Sequence, residues 1–428
     1  MAERVFGMKK EATYGVQSGT VPDWHEEVTS NKFELGDDPV TSTGGSRMIK
    51  QVRPGVMKPT GTTEGNVDLE RIGHYLAAFL DNYLYTAGTG SYHTHEFWGG
   101  ESTELTSFTG YATFDYFMKT IVGMLCDGLK IEVSDEFMTH SADWVYKDES
   151  SEDIDPKDFE EIVTSGAIPI MFYDVDLKLN DAKPSAIMNS FSFEGKNNLN
   201  QDGTIGFGSR RPQLKASAQQ REISLSLVSL MDKNSVDLIR AAEYGETQIL
   251  SPSACQLLKT KLELDVKICE DASRSMKIIF PECAMKVEYD AKDSDQIEVT
   301  WNLTTLGTGK LTLLNGKEVV TDMYAQVINA QTEITDTAVT GNSTVTANVR
   351  NGTNPVDAAT VTLTNIDDNS KTFTGTTDST GSCTIETVPY AKYTVTATAT
   401  GMENYTRTTN LICDNKNENI WINMTPTA

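Results

Sequence analysis

The sequence contains no apolar run long enough to cross a membrane as a helix, and its first residues, MAERVFGMKKEATYG, contain no apolar secretory segment. We therefore expect synthesis in a reducing cytoplasm and no membrane partner. The few cysteines are scattered and never form a C-x-x-C pair. In such a compartment they are expected to be free thiols, mostly buried, rather than disulfides. They are Cys126, Cys255, Cys269, Cys283, Cys383 and Cys413.

Basic residues are scarce as well: 36 Lys and Arg stand against 61 Asp and Glu, for a net charge of −25. This balance excludes a protein that grips nucleic-acid phosphates over a broad face, but not one that must prevent nucleic acid from sticking. A chain of 428 residues is also too long for one ordinary core, so two or three domains are expected.

Signatures of catalysis are missing too, since no G-x-S-x-G, H-E-x-x-H or G-K-[ST] motif occurs. In YHTHEF, a strand would place His93 and His95 on one face with Glu96 adjacent. Tetrahedral zinc needs further ligands, and none shows partner spacing, so we interpret these histidines as incidental. Neither a cofactor nor an enzymatic activity is expected.

The chain changes character at Ala338, after which 23 of 91 residues are threonine and apolar residues alternate with period two. Together with INAQTEITDTAVTG as a linker, this pattern predicts a small antiparallel β-sandwich over residues 338–428. The block resembles the immunoglobulin-like modules related to the carboxypeptidase regulatory domain, with Ala391 and Met402 as departures from the pattern. The matching residues are Thr377, Asp378, Gly381, Pro389, Tyr393 and Gly401. The resemblance implies an inner face of Val361, Leu363, Ile385, Val388, Tyr393 and Val395.

Residues 1–337 combine alternating strands with two helical patterns, over 69–84 and 234–245. Three collinear pairs of segments resemble each other at offsets of 160, 158 and 156 residues. They are SNKFELGDD with NSFSFEGKNN, RPGVMKPTG with RPQLKASA, and LKIEVSDE with MKVEYDAK. We therefore predict a tandem duplication, with a first half at 1–170 and a second half at 171–337.

Two charged segments stand out. The stretch GFGSRRPQLKAS (206–217) lacks the third glycine of a dinucleotide fingerprint and the G-K-[ST] of a P-loop. Pro212 favours a bend followed by a strand there, as in the copy at Arg53-Pro54. We interpret its cations as partners of acids in the same or a neighbouring subunit; the candidate inter-subunit contacts are Arg53, Lys58, Arg210, Arg211 and Lys215.

The second is the run DWVYKDESSEDIDPKDFEE (143–161), with nine acids and two bases. Its pattern is typical of a solvated insertion loop. The candidate residues of this outer or inter-ring acidic loop are Asp148, Glu149, Glu152, Asp153 and Asp155.

Residues 1–310 resemble a tail tube protein of long-tailed (siphovirus-like) phages or archaeal viruses. The resemblance rests on MKKEATYGVQSGTVPDWHEEVTSNKFEL, GGSRMIKQVRPGVMKPTGTTEGNVDLE with the helix after it, SFTGYATF and CDGLKIEVS. It implies a mainly β protein: duplicated tail-tube modules of β-sandwich or rolled-sheet type, each with a flanking helix, before the C-terminal immunoglobulin-like sandwich.

The same resemblance implies a structural protein of the virion tail, without catalysis. Copies would join sheets edge to edge into rings that stack around a tape-measure protein, between a tail terminator and distal tail or baseplate proteins. Double-stranded DNA would pass through the acidic lumen without specific binding. A duplicated chain would form a trimeric, pseudo-sixfold ring; the alternative is a hexamer in which the repeat is half of one module. The alternative function is a surface adhesin that binds carbohydrate through the immunoglobulin-like domain.

Overall fold

The computed structural model describes residues 5–18, 22, 24–37, 39–42, 51–88, 90–114, 117–153, 168–184, 186–233, 235–244, 259–268, 273–289, 297–335, 342–365, 371–389, 391–406, 411–413 and 417–427. The chain divides into two compact units, Met1–Thr335 and Asp336–Ala428. Each has a hydrophobic core of its own, and each is described by itself. Within the described ranges, no helix is both long and apolar enough to span a bilayer.

The first unit is mainly β, as predicted. Its helices are α1 (Ile72–Phe79) and α2 (Ser235–Tyr244), with a 3₁₀ turn at Phe172–Asp174. The strands before α2 are β1 (Val5–Lys10), β2 (Trp24–Glu27), β3 (Ser30–Glu34), β4 (Val40–Ser42), β5 (Gln51–Arg53), β6 (Thr60–Asn66), β7 (Asn82–Thr86), β8 (His93–Trp98), β9 (Phe108–Phe114), β10 (Phe117–Val133), β11 (Thr139–Val145), β12 (Asp148–Asp153), β13 (Val175–Leu179), β14 (Met188–Lys196) and β15 (Glu222–Leu230). Those after it are β16 (Lys259–Lys267), β17 (Ser275–Tyr289), β18 (Glu298–Thr305), β19 (Lys310–Thr312), β20 (Glu318–Val320) and β21 (Tyr324–Asn329).

The second unit is all strand in its described part. It contains β22 (Asn342–Asn351), β23 (Asn354–Pro355), β24 (Thr360–Asn365), β25 (Thr372–Thr376), β26 (Ser382–Pro389), β27 (Ala391–Thr398), β28 (Tyr405–Thr406), β29 (Leu411–Cys413) and β30 (Asn417–Asn423).

Helix α1 is shorter than the predicted helix over 69–84, because tertiary pairing ends it early. Leu80 already has an extended backbone, and the residues after it form β7, in which Tyr83 lies opposite Phe97 of β8. At the other end, the Asp68 carboxylate accepts hydrogen bonds from the backbone N–H groups of Glu70 and Arg71, at 2.9 and 3.1 Å. It thus satisfies two amides just ahead of the helix.

The two halves of the first unit contain the same succession of strand pairings. In the first half, β3 pairs with β6, β6 with β11, β11 with β10, β10 with β9, and β9 with β1. In the second half, β14 pairs with β15, β15 with β18, β18 with β17, β17 with β16, and β16 with β13. Helix α1 follows β6 and packs on β10, whereas α2 follows β15 and packs on β17. The two halves therefore share one order of strand pairings, and their origin by duplication stays a prediction.

Within the described ranges, two strand pairings join the halves into one sheet system. The end of β10, Gly128–Val133, pairs with Phe191–Lys196 of β14. In addition, β21 pairs with β17 on one side and with β8 on the other. The predicted linker is therefore wrong over 328–335, because Asn329 lies in β21 and Ile334 is buried in the first core.

A buried tryptophan occupies the same position in each half. The indole Nε1 of Trp144 donates to Thr63 Oγ1, and that of Trp301 donates to Ser229 Oγ, each at 3.0 Å. Gly61 lies directly opposite Trp144, and the acceptor Thr63 is two residues further along the same strand. Likewise, Leu227 lies directly opposite Trp301, and the acceptor Ser229 is two residues further along. Inside a core, such a bond satisfies a polar group that would otherwise lack a partner.

The second unit is the predicted sandwich, and all six predicted inner-face residues are buried in its core. One sheet contains β22, β23, β26 and β30, and the other contains β24, β25, β27, β28 and β29.

The Thr-Asp-x-x-Gly motif at 377–381, which contributes to the resemblance of this domain to its family, forms a turn held by hydrogen bonds. Thr377 Oγ1 donates to the Val356 carbonyl at 2.7 Å, the Asp378 carboxylate accepts from two backbone amides, and Gly381 has a φ of 76°.

We predict that Thr63→Val lowers the free energy of unfolding by about 1–3 kcal/mol, because the buried Trp144 indole loses its acceptor. Thr60→Val on the same strand is the matched control, since Thr60 is exposed, and it should leave stability almost unchanged. Urea unfolding followed by tryptophan fluorescence measures both. Equal effects of the two substitutions would show that the hydrogen bond contributes nothing.

Candidate assembly surfaces

The two Arg-Pro segments, predicted as copies of one element, lie against each other. The backbone N–H of Met57 donates to the Arg210 carbonyl at 2.7 Å, and Arg210 Nε donates to the Gly55 carbonyl at 2.9 Å. The first segment thus contacts the second within one chain. The strand predicted after Pro212 is wrong: residues 206–217 form turns and bends, with Gly208 at a φ of 85° and an isolated bridge from Ser217 to Asn200.

Ion pairs within the chain involve the candidate cations Lys58, Arg210 and Arg211. Lys58 Nζ lies 3.0 Å from Asp202, Arg210 lies 3.1 Å from Asp37, and Arg211 contacts Asp148. These cations are about half exposed, so each pair contributes little to stability. Of the other two candidates, Arg53 is exposed at the end of β5 and Lys215 is half-buried. Their role between subunits stays a prediction.

The described part of the acidic run, predicted as a solvated loop, is instead strand. Asp143 belongs to β11, and Asp148–Asp153 form β12, which pairs with Phe117–Val122 of β10. Glu149 is well covered: its carboxylate lies 2.8 Å from Lys119 Nζ and accepts a hydrogen bond from the Tyr146 hydroxyl at 2.7 Å. The charge pattern of this run did not indicate that part of it pairs with β10 as a strand of the sheet.

The candidate acids therefore have different surroundings. Burial and the Glu149 contact together raise the pKa of Tyr146 above its ordinary value, so this hydroxyl remains a donor. Asp148 contacts Arg211, which brings the predicted basic and acidic segments together. Glu152 and Asp153 are opposite Met118 and Phe117 in the strand register. Asp155 lies outside the described residues.

The histidine pair of β8 is held by contacts within the protein. The ring nitrogens of His95 lie 2.9 Å from the Tyr83 hydroxyl and 3.1 Å from the Gln331 carbonyl oxygen, and burial lowers the pKa of His95 to about 4. His93 Nδ1 lies 3.2 Å from the backbone N–H of Gly88. Across the described ranges, no group of three or more His, Cys, Asp and Glu side chains could hold a metal ion.

A buried ionic cluster around Arg221 connects the halves, and no sequence pattern indicated it. The guanidinium lies 2.8 Å from Asp81 and 3.0 Å from Asp322, and Nε donates to the Asn197 side chain at 3.2 Å. The Arg221 side chain is only 8% exposed, so its positive charge compensates the negative charges of Asp81 and Asp322 inside the protein. The local sequence AQQREISL does not indicate this cluster, because Asp81 and Asp322 are 140 and 101 residues away from Arg221.

We predict that Arg221→Met lowers the free energy of unfolding by about 3–5 kcal/mol, because two largely buried carboxylates lose their shared cation. Arg240→Met is the control, because the ion pair of Arg240 with Asp237 is exposed on α2. This substitution should lower the free energy of unfolding by less than about 1 kcal/mol. Thermal or urea unfolding of the two variants makes the comparison. Similar stabilities would contradict a structural role for the cluster.

Comparison with known families agrees with this architecture. The model for "Phage tail tube protein" matches residues 1–302, and that for "Carboxypeptidase regulatory-like domain" matches residues 344–425. A search of curated proteins found no match. The first match covers more than half of the chain, and the second lies within the compact unit Asp336–Ala428. The chain therefore belongs to the phage tail tube protein family, as a structural virion component with a carboxypeptidase-regulatory-like, immunoglobulin-like domain at its C-terminal end.

Proposed function

We propose that copies of this chain form rings that stack into the tail tube, the channel through which double-stranded DNA enters the host. The match to the tail tube family over residues 1–302 carries this proposal. The tube would assemble in the host cytoplasm around a tape-measure protein, between a tail terminator and distal tail or baseplate proteins. The chain would perform no catalysis.

We propose three copies per ring, because the first unit contains one succession of strand pairings twice. Two modules per chain, at 1–170 and 171–337, would reach six modules with three copies. The pairing of β10 with β14 supports this arrangement, since it already joins one half to the other edge to edge. A hexamer of the chain is the alternative that a measured ring mass would distinguish.

The charge of the first unit suits a conduit for DNA. The threonine-rich block from residue 338 onward holds only 8 acids and 5 bases, so the acidic excess of the chain lies almost entirely upstream. A lumen lined by carboxylates repels phosphates and lets them slide, whereas lysines and arginines would bind them and release counterions. DNA would therefore pass without specific contacts.

The surface around the basic segment has the composition of a contact between subunits. Val52 and Val56 are more than half exposed next to Arg53, and Phe207 and Leu214 are exposed on either side of Arg211. Large apolar side chains beside charged ones are typical of protein interfaces. We propose that this surface, with the acidic strand β12 beside it, contributes to contacts within or between rings.

Purified protein should show rings or tubes with a central channel by negative-stain microscopy. We propose that the immunoglobulin-like domain at 338–428 is a decoration that takes no part in assembly, so the truncated chain 1–335, which keeps the first compact unit whole, should form the same tubes. Compact monomers at every concentration and ionic strength, with seeding, would contradict the tube proposal. Tubes from the full chain but none from 1–335 would show instead that the C-terminal domain takes part in assembly.

Arg211→Glu and Arg53→Glu should each impair tube formation while leaving the monomer folded, because each reverses a charge on the proposed contact surface. Arg240→Glu is the control, an equal charge reversal on α2. Sedimentation of assembled material and circular dichroism of the monomer separate assembly from folding. Normal tubes from both variants would remove this surface from the proposed interface.

A further inference from the structure

The C-terminal domain exposes a large aromatic side chain on a sheet face that is otherwise polar. Trp421 is 69% exposed, whereas its neighbours on β30, Ile420 and Ile422, are buried in the core of the domain. Because side chains alternate along a strand, Trp421 lies on the outer face of the sheet formed by β22, β23, β26 and β30. Within the described part of this domain, no other large hydrophobic side chain is exposed.

Polar side chains surround the indole on the neighbouring strands. In the parallel pair of β30 with β22, Asn348 lies opposite Trp421, and on the far side of β22, Ser382 of β26 lies opposite Asn348. Two residues earlier on β22, Thr346 lies opposite Thr384 in the same way. Neighbouring strands are about 4.8 Å apart, so the row from Trp421 to Ser382 is about 10 Å long, roughly the length of a disaccharide.

Arg350 of β22 packs against one face of the indole. Its guanidinium carbon lies 6.0 Å from the centroid of the Trp421 ring, which is a cation–π contact. With every described residue considered, the guanidinium forms no ion pair and no hydrogen bond, and neither does the Asn348 side chain. The N–H donors of both side chains are therefore available to an acceptor outside the chain, next to an exposed aromatic ring.

This combination favours a saccharide over a protein as the occupant of the face. The centre of a protein interface contains several large apolar and aromatic side chains, which together exclude water. Around Trp421 the face has hydroxyl and amide groups instead. A pyranose ring presents C–H groups on one side and hydroxyl groups at its edge, so it can stack on an indole and hydrogen-bond to polar side chains at the same time.

The guanidinium of Arg350 favours a saccharide that carries negative charge. Arginine binds carboxylate and phosphate groups through two parallel hydrogen bonds, and its flat side can stack on an aromatic ring while it does so. Since Arg350 lies over the Trp421 ring, an acidic substituent of a sugar on the indole would meet its N–H groups.

The outer face of the other sheet provides an internal comparison. On β24, β25 and β27, Thr362 lies opposite Thr374 on one side and Thr396 on the other. These positions offer hydroxyl groups at the same strand spacing, but neither an aromatic ring nor an arginine. A hydroxyl-rich face is thus common to both sheets, and the pair of Trp421 with Arg350 distinguishes the first one.

We propose that the face around Trp421 binds an acidic polysaccharide. A pyranose ring stacks on the indole, its carboxylate or phosphate group accepts hydrogen bonds from Arg350, and its hydroxyl groups hydrogen-bond to Asn348 and Ser382. The proposal gives the C-terminal domain a binding function of its own, and it does not depend on the proposed tube.

Binding can be measured by biolayer interferometry, with the full chain in solution and the saccharide immobilised. The probes are polygalacturonate, which carries carboxylates, phosphomannan, which carries phosphates, and dextran, which is neutral. We expect the chain to bind at least one acidic probe more tightly than dextran. Trp421→Ala should weaken this binding by about tenfold or more, whereas Trp421→Phe, which keeps an aromatic ring, should weaken it less.

Arg350→Met tests the acidic group separately, because it removes the charge and keeps an unbranched side chain. It should reduce the preference for the acidic probe over dextran by about tenfold. Thr362→Ala, on the outer face of the other sheet, is the matched control and should bind like the unmodified chain. Circular dichroism and thermal unfolding verify that each variant is folded.

The outcomes separate this proposal from the tube proposal. Failure of the unmodified chain to bind any probe would overturn the saccharide site, as would binding that Trp421→Ala leaves unchanged. Equal or tighter binding to dextran would refute the preference for acidic sugars. Loss of tubes in Trp421→Ala, with no binding to any probe, would show that this face contacts another copy instead. Tubes from a chain that binds no saccharide would overturn this proposal alone.

Discussion

Backbone hydrogen bonding at strand edges is the constraint on which the first unit depends. A strand at the end of a sheet leaves amides and carbonyls along one side without strand partners, and such edges readily accept another strand. Inside this chain, β14 of the second half covers Gly128–Val133 of β10. The halves are thereby joined by main-chain pairing, which depends on register rather than on particular side chains.

Buried polar groups then favour one particular arrangement of the two joined halves. The Trp144 and Trp301 indoles each have a hydroxyl acceptor on the neighbouring strand, so strand register and core packing depend on each other in both halves. The Arg221 cluster connects Asp81 near α1 to Asp322 near β21. Removing the arginine would leave buried carboxylates uncompensated, so the joined arrangement is favoured over a loose one.

The exposed charges have a different role from the buried ones. Ion pairs such as Lys58–Asp202 lie at the surface and contribute little to folding, but their positions can determine how copies meet. The contact surface proposed around the basic segment follows this logic, since the ion pairs of Arg210 and Arg211 are about half exposed and could exchange partners when two copies meet.

The sequence by itself determined the elements whose signal is local or repeated. Alternation predicted the strands of the C-terminal sandwich, in which period two places Val361 and Leu363 on one side, and the family resemblance implied its inner face. Collinear similarity predicted the duplication, and the two halves contain matching strand pairings. Tertiary structure alone decided the end of α1 at Phe79, the conversion of the acidic run into β12, and the meeting of Arg211 with Asp148. Each of these depends on contacts between residues far apart in the chain, whose pairing leaves no periodic trace in either segment.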